Sequence, residues 1–349
     1  MLPCRPSRRV LITVLCLLWL GIASTPALAG GYDDKDLSLR FPAAFSRFAS
    51  YGDVAGVGGA SAGSMWSSSV NPASLAWKPI PGDLHLSLSP QYSGLYFREG
   101  TRLDLFSEAL TWDAGDYGTF QPGIAQLRSN TRTTRQGLDF GMNMDYGQLQ
   151  WAKRFGEDWA FGGGFNVSKS ETRFDLGPVD ISDSSSETYG LRVGALHRLA
   201  DKWLGGVVFD YAFSPSRTTL YDFMGLGIGN TRIRDTTHQF VLRPGLSWEY
   251  QKDSSVYADY QLGSFSNDTG SLLVNRFLWG VDHKLAEGVF VRGGTALDTK
   301  GNASWTCGLG IYPTDRFSID LAYQDNMFPE LTPEFGRSRT LTLSLSFTF

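Results

Sequence analysis

Residues 339–349 read RTLTLSLSFTF, and this stretch decides the fold. Every second residue in it is apolar, namely Leu341, Leu343, Leu345, Phe347 and Phe349. Side chains of a β-strand point alternately to its two faces, so the residues between them place only Ser and Thr on the opposite face. The pattern predicts an amphipathic strand, and the sequence ends on it.

The N-terminus has the layout of a secretory signal peptide. Three arginines precede an apolar run over residues 10–20, and the small-x-small sequence ALA follows at 27–29. The apolar run has eleven residues, and a membrane-spanning helix needs about 20. The sequence therefore predicts a signal peptide over residues 1–29 that is cleaved near Ala29.

The rest of the chain has a composition that excludes several classes of protein. Without the three signal-peptide arginines, 28 basic residues stand against 35 acidic ones, a formal charge of −7 that argues against a nucleic-acid partner. Only Cys307 remains of three cysteines, so neither an internal disulfide nor a cysteine metal site is expected. The four histidines have no metal-ligand spacing. We expect no cofactor and no bound metal.

Amphipathic strands begin near Leu84 and are joined alternately by short and long connections. The expected long connections are residues 170–186, 214–235, 264–270, 298–302 and 324–338, all rich in Ser, Asp, Asn, Gly and Pro. This alternation is typical of transmembrane β-barrels, with periplasmic turns and extracellular loops. After the signal peptide no apolar stretch is long enough for a membrane helix, and a closed barrel is the other structure that satisfies the backbone in lipid.

Aromatic residues cluster beside the short connections. They are Trp151, Trp159, Trp203, Trp248 and Tyr250. Outer-membrane barrels carry aromatic girdles at the membrane interfaces. The terminal aromatic Phe349 on an amphipathic last strand likewise resembles these barrels, in which the last strand is read by the assembly machinery. The predicted location is the outer membrane of a Gram-negative-type bacterium.

Two segments decide the strand count. Apolar residues at helical spacing between Leu103 and Leu110 predict that residues 98–136 form an outer loop with a short amphipathic helix; two weak strands are the alternative. Residues 138–146 alternate apolar and polar, and the phase slips at Gly147, which indicates a β-bulge or a turn there. The favoured fold is an all-β antiparallel barrel of twelve strands, with fourteen as the alternative.

Residues 30–81 are not strand-like, and they carry a resemblance. GVGGA at 56–60 and NPASLA at 71–76 resemble the N-terminal segment of FadL-type outer-membrane transporters of hydrophobic compounds, and of related secretion-system barrels. The resemblance implies a plug, or hatch, over residues 30–81 inside a barrel over residues 82–349. The implied hatch motif is Gly58, Gly59, Asn71, Pro72 and Ala73. FadL-type barrels have fourteen strands.

The strand face opposite the apolar one is expected to point into the lumen. Its candidate lumen-facing charges are Arg192, Asp210, Arg243, Glu249, Arg276, Arg292 and Asp320. Charges of both signs fit a selectivity surface for a solute, or an interior that contacts a plug. We favour the second interpretation, because a plug needs polar partners as much as a solute does.

The sequence does not predict an enzyme. Gly59-Ala60-Ser61-Ala62-Gly63 matches the Gly-x-Ser-x-Gly nucleophile elbow, but it lacks the strand before it and the helix after it, so we expect no catalytic residue. The function implied by the resemblance is uptake or passage of hydrophobic or amphipathic small molecules such as fatty acids. The alternatives are a barrel component of a protein secretion or conjugation system and a lipid-active hydrolase. Expected partners are outer-membrane lipid, a hydrophobic ligand, the barrel assembly machinery through Phe349 and, in the secretion alternative, another protein.

Overall fold

One antiparallel sheet accounts for most of the chain in the computed structural model, which describes residues 31–46, 52–65, 68–77, 80–130, 132–222 and 229–349. Its strands are β1 (Leu86–Phe97), β2 (Arg102–Asp113), β3 (Thr119–Asn130), β4 (Arg132–Thr133), β5 (Asp139–Phe155), β6 (Trp159–Leu176), β7 (Val179–Ala200), β8 (Trp203–Leu220), β9 (Thr231–Gln251), β10 (Ser254–Asn267), β11 (Gly270–Ala286), β12 (Val289–Asp298), β13 (Ala303–Thr314), β14 (Phe317–Asp325) and β15 (Ser338–Thr348). The predicted signal peptide and its cleavage site lie outside the described residues.

The sheet closes on itself. Strands adjacent in sequence are paired, β1 pairs with β15, and β3 pairs with β5. The two-residue β4 continues β3 along the same neighbour, β5, so it adds no new position around the wall. Over the described residues the wall is therefore a closed barrel of fourteen strands, and the preference for twelve was wrong.

The two missing strands lie in the segment that was interpreted as a loop with a helix. Residues 98–136 contain β2 and β3, joined by a short 3₁₀ turn at Gly115–Tyr117. In β2, Leu103 and Leu105 are buried and face inward, whereas Phe106 is 56% exposed and faces outward. Because β2 has apolar residues on both of its faces, the spacing of its apolar residues along the sequence matched that of a helix.

Strand β5 shows the same change of face, and the expected bulge is absent from it. Its pairing with β6 runs from Asp139 to Phe155 without a register shift. Phe140 and Met142 are buried on the inward face, and Leu149 is exposed on the outward face. The phase slip at Gly147 therefore marks the height at which the apolar side chains move from the interior to the exterior.

Several expected loops are extensions of strands. β6, β7, β8 and β9 have 18, 22, 18 and 21 residues, whereas about 9–11 residues suffice to cross a bilayer. Only Gly177 and Pro178 separate β6 from β7, within a stretch interpreted as a long loop. We call this end of the barrel, which also carries the 326–337 connection, the loop end, and the opposite end the turn end.

The last strand has the predicted two faces. Thr340 and Thr342 are buried on the inward side of β15, and Leu341 is 48% exposed on the outward side. The exposed aromatics at the turn end include Trp203 and Trp248, which stack with ring centroids 5.8 Å apart.

Short helices lie inside the barrel or across its loop end. They are α1 (Leu37–Phe45), α2 (Gly52–Gly56), a 3₁₀ helix at Pro72–Ala76, a 3₁₀ turn at Pro329–Leu331 and α3 (Thr332–Phe335). The Asp36 carboxylate caps α1 by accepting from the Ser38 N–H at 2.9 Å. Within the described residues no helix has the length and apolarity needed to span a membrane.

Candidate functional site: the barrel interior

Two described stretches, residues 52–65 and 68–77, lie inside the barrel and are together called the N-terminal segment here. Its helix α2 contacts β12, β13, β14 and β15, and its 3₁₀ helix at Pro72–Ala76 contacts β3, β5, β6 and β7. These strands belong to different parts of the closed wall. The segment therefore separates the space at the loop end from the space at the turn end.

The wall is lined with glycines where the N-terminal segment passes. They are Gly162, Gly194, Gly206, Gly245, Gly280, Gly294 and Gly308, on β6, β7, β8, β9, β11, β12 and β13. A Cβ on Gly206 would lie 2.0 Å from the Ala62 carbonyl oxygen, and one on Gly162 would lie 2.5 Å from the Pro72 carbonyl carbon. Because glycine has no side chain, these seven positions let the segment pass close to the backbone of the wall. We call them the glycine track.

Asn71 joins the two halves of the segment to the wall. Its side-chain amide donates to the Ala62 carbonyl at 2.7 Å and to the Ala195 carbonyl of β7 at 3.1 Å. Its side-chain oxygen accepts from the Ala73 N–H at 3.1 Å, which caps the 3₁₀ helix that begins at Pro72. The Asn-Pro-Ala residues of the implied hatch motif are therefore buried together at one junction.

Gly58 and Gly59 turn the chain between α2 and the rest of the segment. Their φ angles are +69° and +77°, in the left-handed region that glycine enters without steric cost. The turn presents the Gly59 carbonyl to Arg243 of β9, whose Nη1 donates to it at 3.2 Å.

Polar side chains on the inward face of the wall form hydrogen bonds with the backbone N–H and carbonyl groups of the segment. Asp259 of β10 accepts from the N–H groups of Ser61 and Ala62, each at 2.8 Å. Arg192 donates to the Ser69 carbonyl at 2.7 Å and is also paired with Asp210. Backbone amides and carbonyls removed from water need such partners.

A second charged cluster lies toward the turn end. Arg292 of β12 is buried and contacts Asp320 at 2.5 Å, Asp282 at 3.3 Å and the Tyr312 hydroxyl at 2.7 Å. Glu249 lies at the turn itself, where it accepts from the Asp253 N–H at 3.1 Å.

The connection between β14 and β15 folds over the loop end and is held there by buried ion pairs. Arg276 of β11 pairs with Glu330, and both side chains are fully buried. Arg40 of α1 donates to Glu334 at 2.6 Å and to the Glu330 carbonyl at 3.1 Å. Helix α1 and this connection therefore form one packed unit.

The start of the described chain is anchored to the same end. The Tyr32 hydroxyl donates to Asp298 at 2.9 Å, and the Lys300 ammonium lies 4.1 Å from the Tyr32 ring centroid. Burial beside this ring lowers the pKa of Lys300.

Two cavities lie on either side of the N-terminal segment. The loop-end cavity has a volume of about 670 Å³, and the turn-end cavity has a volume of about 1100 Å³. The turn-end cavity includes Asp53, Arg292 and Asp320 among its lining residues. The loop-end cavity includes both Arg192 with Asp210 and an apolar surface.

The apolar surface of the loop-end cavity is built from aromatic and methionine side chains. Phe41 and Phe45 of α1 face Met142 and Met144 of β5 across it. Phe41 also stacks on Phe140 of β5, with the ring centroids 5.7 Å apart. Other parts of the lining are polar and include Ser168 of β6, Ser186 of β7 and Thr218 of β8, so the cavity combines an apolar surface with a hydroxyl-rich one.

A third cavity lies on the exterior of the wall, at a gap in the β9–β10 ladder. Pairing is interrupted between Asp259↔Gly245 and Leu262↔Leu242 because Pro244 has no N–H to donate. The cavity has a volume of about 590 Å³, and its lining includes Pro244, Gly245 and Asp259. Since Asp259 also binds the N-terminal segment, one side chain connects this exterior cavity with the interior.

Comparison with solved structures places this architecture in a known group. CymD, a monoaromatic hydrocarbon channel, has a TM-score of 0.58 and 14% identity over 85% of this chain and 96% of its own. The Pseudomonas putida toluene transporter TodX has a TM-score of 0.50 and 11% identity over 81% and 94%. A Pseudomonas aeruginosa FadL homologue has a TM-score of 0.51 and 13% identity over 87% and 95%.

The fold is that of the FadL-type channels. No family model matches the chain, and no curated protein matches it. The sequence resemblance that predicted a FadL-type barrel is thus confirmed at the level of the fold, and the fourteen-strand alternative is the one that the structure has.

Within this FadL-type barrel the charges predicted to face the lumen occupy three places. Arg192, Asp210 and Arg243 lie beside the N-terminal segment, Arg292 and Asp320 lie toward the turn end, and Arg276 binds the loop-end connection. Glu249, near the end of β9, lines the turn-end cavity together with Arg292 and Asp320. Their roles in a functional site stay predictions.

Sequence reasoning missed the apolar lining and the glycine track. Met142 and Met144 were assigned to the outward face, although the phase slip at Gly147 was the signal that they face inward. Ser61 lies in a turn of the N-terminal segment and not at a strand–helix junction, so the nucleophile-elbow match has no structural support. Among the described residues no cluster of His, Cys, Asp and Glu can hold a metal.

Proposed function

We propose that this protein is an outer-membrane channel for hydrophobic small molecules, in which the N-terminal segment is a plug. The loop-end cavity carries the proposal. Its Phe41, Phe45, Met142 and Met144 side chains offer an apolar binding surface inside a barrel whose exterior is also apolar. Apolar compounds partition into such a surface, whereas hydrated solutes would lose their hydration.

The route follows from the position of the plug. A compound enters at the loop end, binds between α1 and β5, and is stopped by the N-terminal segment. Passage requires the plug to move, toward the turn-end cavity or away from the gap at Pro244. The second route leads through the wall, as the resemblance to FadL-type transporters implies, because Asp259 holds the plug directly behind that gap.

The lining favours compact apolar compounds over fatty acids. A fatty acid needs a cation for its carboxylate, and both arginines in the lining already have partners. Arg192 is paired with Asp210 and donates to the Ser69 carbonyl, and Arg243 donates to the Gly59 carbonyl and to Gln261. Aromatic side chains and methionine sulfur contact aromatic rings favourably, by about 0.3–1.5 kcal/mol each. Monoaromatic hydrocarbons are therefore the proposed ligand class, and fatty acids are the comparison.

A charge in the loop-end cavity tests the proposal. Met144→Glu places a carboxylate among the apolar side chains, so we expect binding and uptake of labelled toluene to fall by about tenfold or more. Asn143→Glu is the matched control, because Asn143 is adjacent to Met144 in β5 and its side chain points out of the wall. Uptake is measured in cells that express equal amounts of folded protein, with a labelled fatty acid in parallel.

Each outcome has a defined meaning. Loss of toluene uptake in Met144→Glu with normal uptake in Asn143→Glu supports the channel. Equal uptake in both variants and in cells lacking the protein contradicts it. A loss confined to the fatty acid would keep the channel and replace the ligand class.

A further inference from the structure

Two arginines that form no ion pair with any described carboxylate lie opposite each other on the outside of the barrel. Arg217 of β8 and Arg234 of β9 are directly paired in the ladder, and both are exposed. Arg232, two residues along the same face of β9, extends the pair. Directly opposed side chains have Cβ atoms about 4.5–5.5 Å apart, and like charges at that distance destabilise a sheet.

Three acidic residues, Glu187, Asp235 and Asp268, line the same groove as these arginines, and two of them accept hydrogen bonds from neutral groups. Glu187 accepts from the Tyr189 hydroxyl at 2.8 Å, and Asp235 accepts from the N–H groups of Thr236 at 2.6 Å and Asp268 at 3.2 Å. In the part of the chain that the structure describes, no carboxylate forms an ion pair with Arg217, Arg232 or Arg234. Within the described residues these arginines therefore have nearby acidic groups but no direct ionic partner, which leaves their guanidinium groups able to pair with an external anion.

The arginines border a groove and continue an apolar band. The groove has a volume of about 630 Å³, and its lining includes Arg217, Arg234 and His238. Immediately below it on the outward face lie Phe213 and Phe240, 40% and 38% exposed. Arg217 follows Phe213 by four residues, about 13 Å along the strand. The surface therefore offers aromatic contacts at one height and paired guanidinium groups just above them.

We infer that this face binds the phosphorylated headgroup of a lipid in the outer leaflet. Acyl chains would lie against Phe213 and Phe240, and a phosphate would accept charge-assisted hydrogen bonds from Arg217 and Arg234. The planar guanidinium group suits this role because its N–H donors match the spacing of phosphate oxygens. The inference rests on the proposed function for its placement in an outer membrane, with the loop end outside. It concerns the outer wall and uses no residue of the transport route.

Native mass spectrometry of the detergent-solubilised full chain tests the inference. The probes are diphosphoryl lipid A and the same lipid with both phosphates removed. Wild-type protein is expected to retain the phosphorylated form about tenfold better, and Arg217→Gln/Arg234→Gln is expected to lose that preference. Arg173→Gln is the matched control, since Arg173 lies on the same outer extension but is paired with Asp175 at 2.8 Å and with Asp180.

Three results would overturn the inference. They are equal retention of the two lipids by wild-type protein, an unchanged preference in the double variant, and displacement of the lipid by inorganic phosphate at similar concentration, which would indicate a free-anion site. Heat-modifiable migration on a gel confirms that each variant is folded. Toluene uptake is measured in the same variants, so that failure of the channel and failure of the lipid site are recorded separately.

Discussion

Gly162 and Gly163 are adjacent on β6 and face opposite sides of the wall. A Cβ on Gly162 would lie 2.5 Å from the Pro72 carbonyl carbon, whereas one on Gly163 would come no closer than 3.5 Å to the Arg192 carbonyl oxygen. The first position therefore depends on the N-terminal segment, and the second does not. Substitutions at these two glycines therefore separate a position that needs glycine because a second backbone lies against it from a position that merely tolerates a small residue.

We predict that Gly162→Ala displaces the segment and Gly163→Ala does not. Overpacking of this type costs about 1–3 kcal/mol of unfolding free energy, and a displaced segment should raise the conductance of the purified protein in planar bilayers. Denaturant unfolding and single-channel recording measure the two effects. Identical behaviour of the two alanine variants would show that the segment does not occupy this track.

At the residue scale, the resemblance predicted a hatch motif that includes Asn71, Pro72 and Ala73, and the alternation of the strands named the charges of the inward face; the roles of these residues stay predictions. It did not predict which partners these charges have. Arg243 and Gly59 are 184 positions apart, and only closure of the barrel brings them together. Such contacts have no local pattern, so periodicity could not reveal them.

At the scale of the element, β2 and β5 show why the strand count was underestimated. Period-two patterns assume that one face is apolar along the whole strand. Here Leu103 and Phe140 face an apolar interior near the loop end, and Trp112 and Leu149 face outward near the turn end. The apolar set changes face within each strand. That change is the sequence signature of an apolar cavity inside a barrel, and it can be sought in other chains.

The loop-end connection gives a prediction of its own. Glu330→Gln leaves Arg276 without its buried counter-charge and should cost about 3–5 kcal/mol of unfolding free energy. Arg276→Met/Glu330→Leu removes both charges and should recover at least half of that loss. Glu99→Gln is the control, because the Arg135–Glu99 pair at the same end is partly exposed and should cost less than about 1 kcal/mol. Equal losses of unfolding free energy in all three variants would contradict the claim that the buried Arg276–Glu330 pair holds this connection in place.

At the scale of the whole molecule, the barrel, the segment across it and the cavities on either side form a single arrangement. The closed wall provides an apolar exterior, and its inward face provides glycines and charges for the segment. The predicted barrel is confirmed and the N-terminal plug stays a prediction, whereas the apolar lining of the loop end emerged only from the pairing of β2, β3 and β5. The proposed channel depends on that lining and on movement of the segment.

The most direct test of this account is a disulfide that fixes the segment to the wall. A Cβ on Gly280 would lie 2.7 Å from the Val57 Cβ, and a disulfide spans about 3.8 Å between Cβ atoms. Val57→Cys/Gly280→Cys, in a Cys307→Ala background, should therefore crosslink once the segment shifts to relieve the contact of the new Cβ with the Val57 carbonyl oxygen, 2.6 Å away. Val57→Ser/Gly280→Ser in the same background adds the same Cβ at position 280 but cannot crosslink, so it controls for that shift and for the oxidation and reduction treatments.

The measurement is uptake of labelled toluene before and after reduction of the crosslink. We predict that oxidised protein takes up about tenfold less toluene than reduced protein, because the fixed segment blocks the route, and that reduction restores uptake. Complete crosslinking with unchanged uptake would contradict the claim that movement of the N-terminal segment opens the barrel.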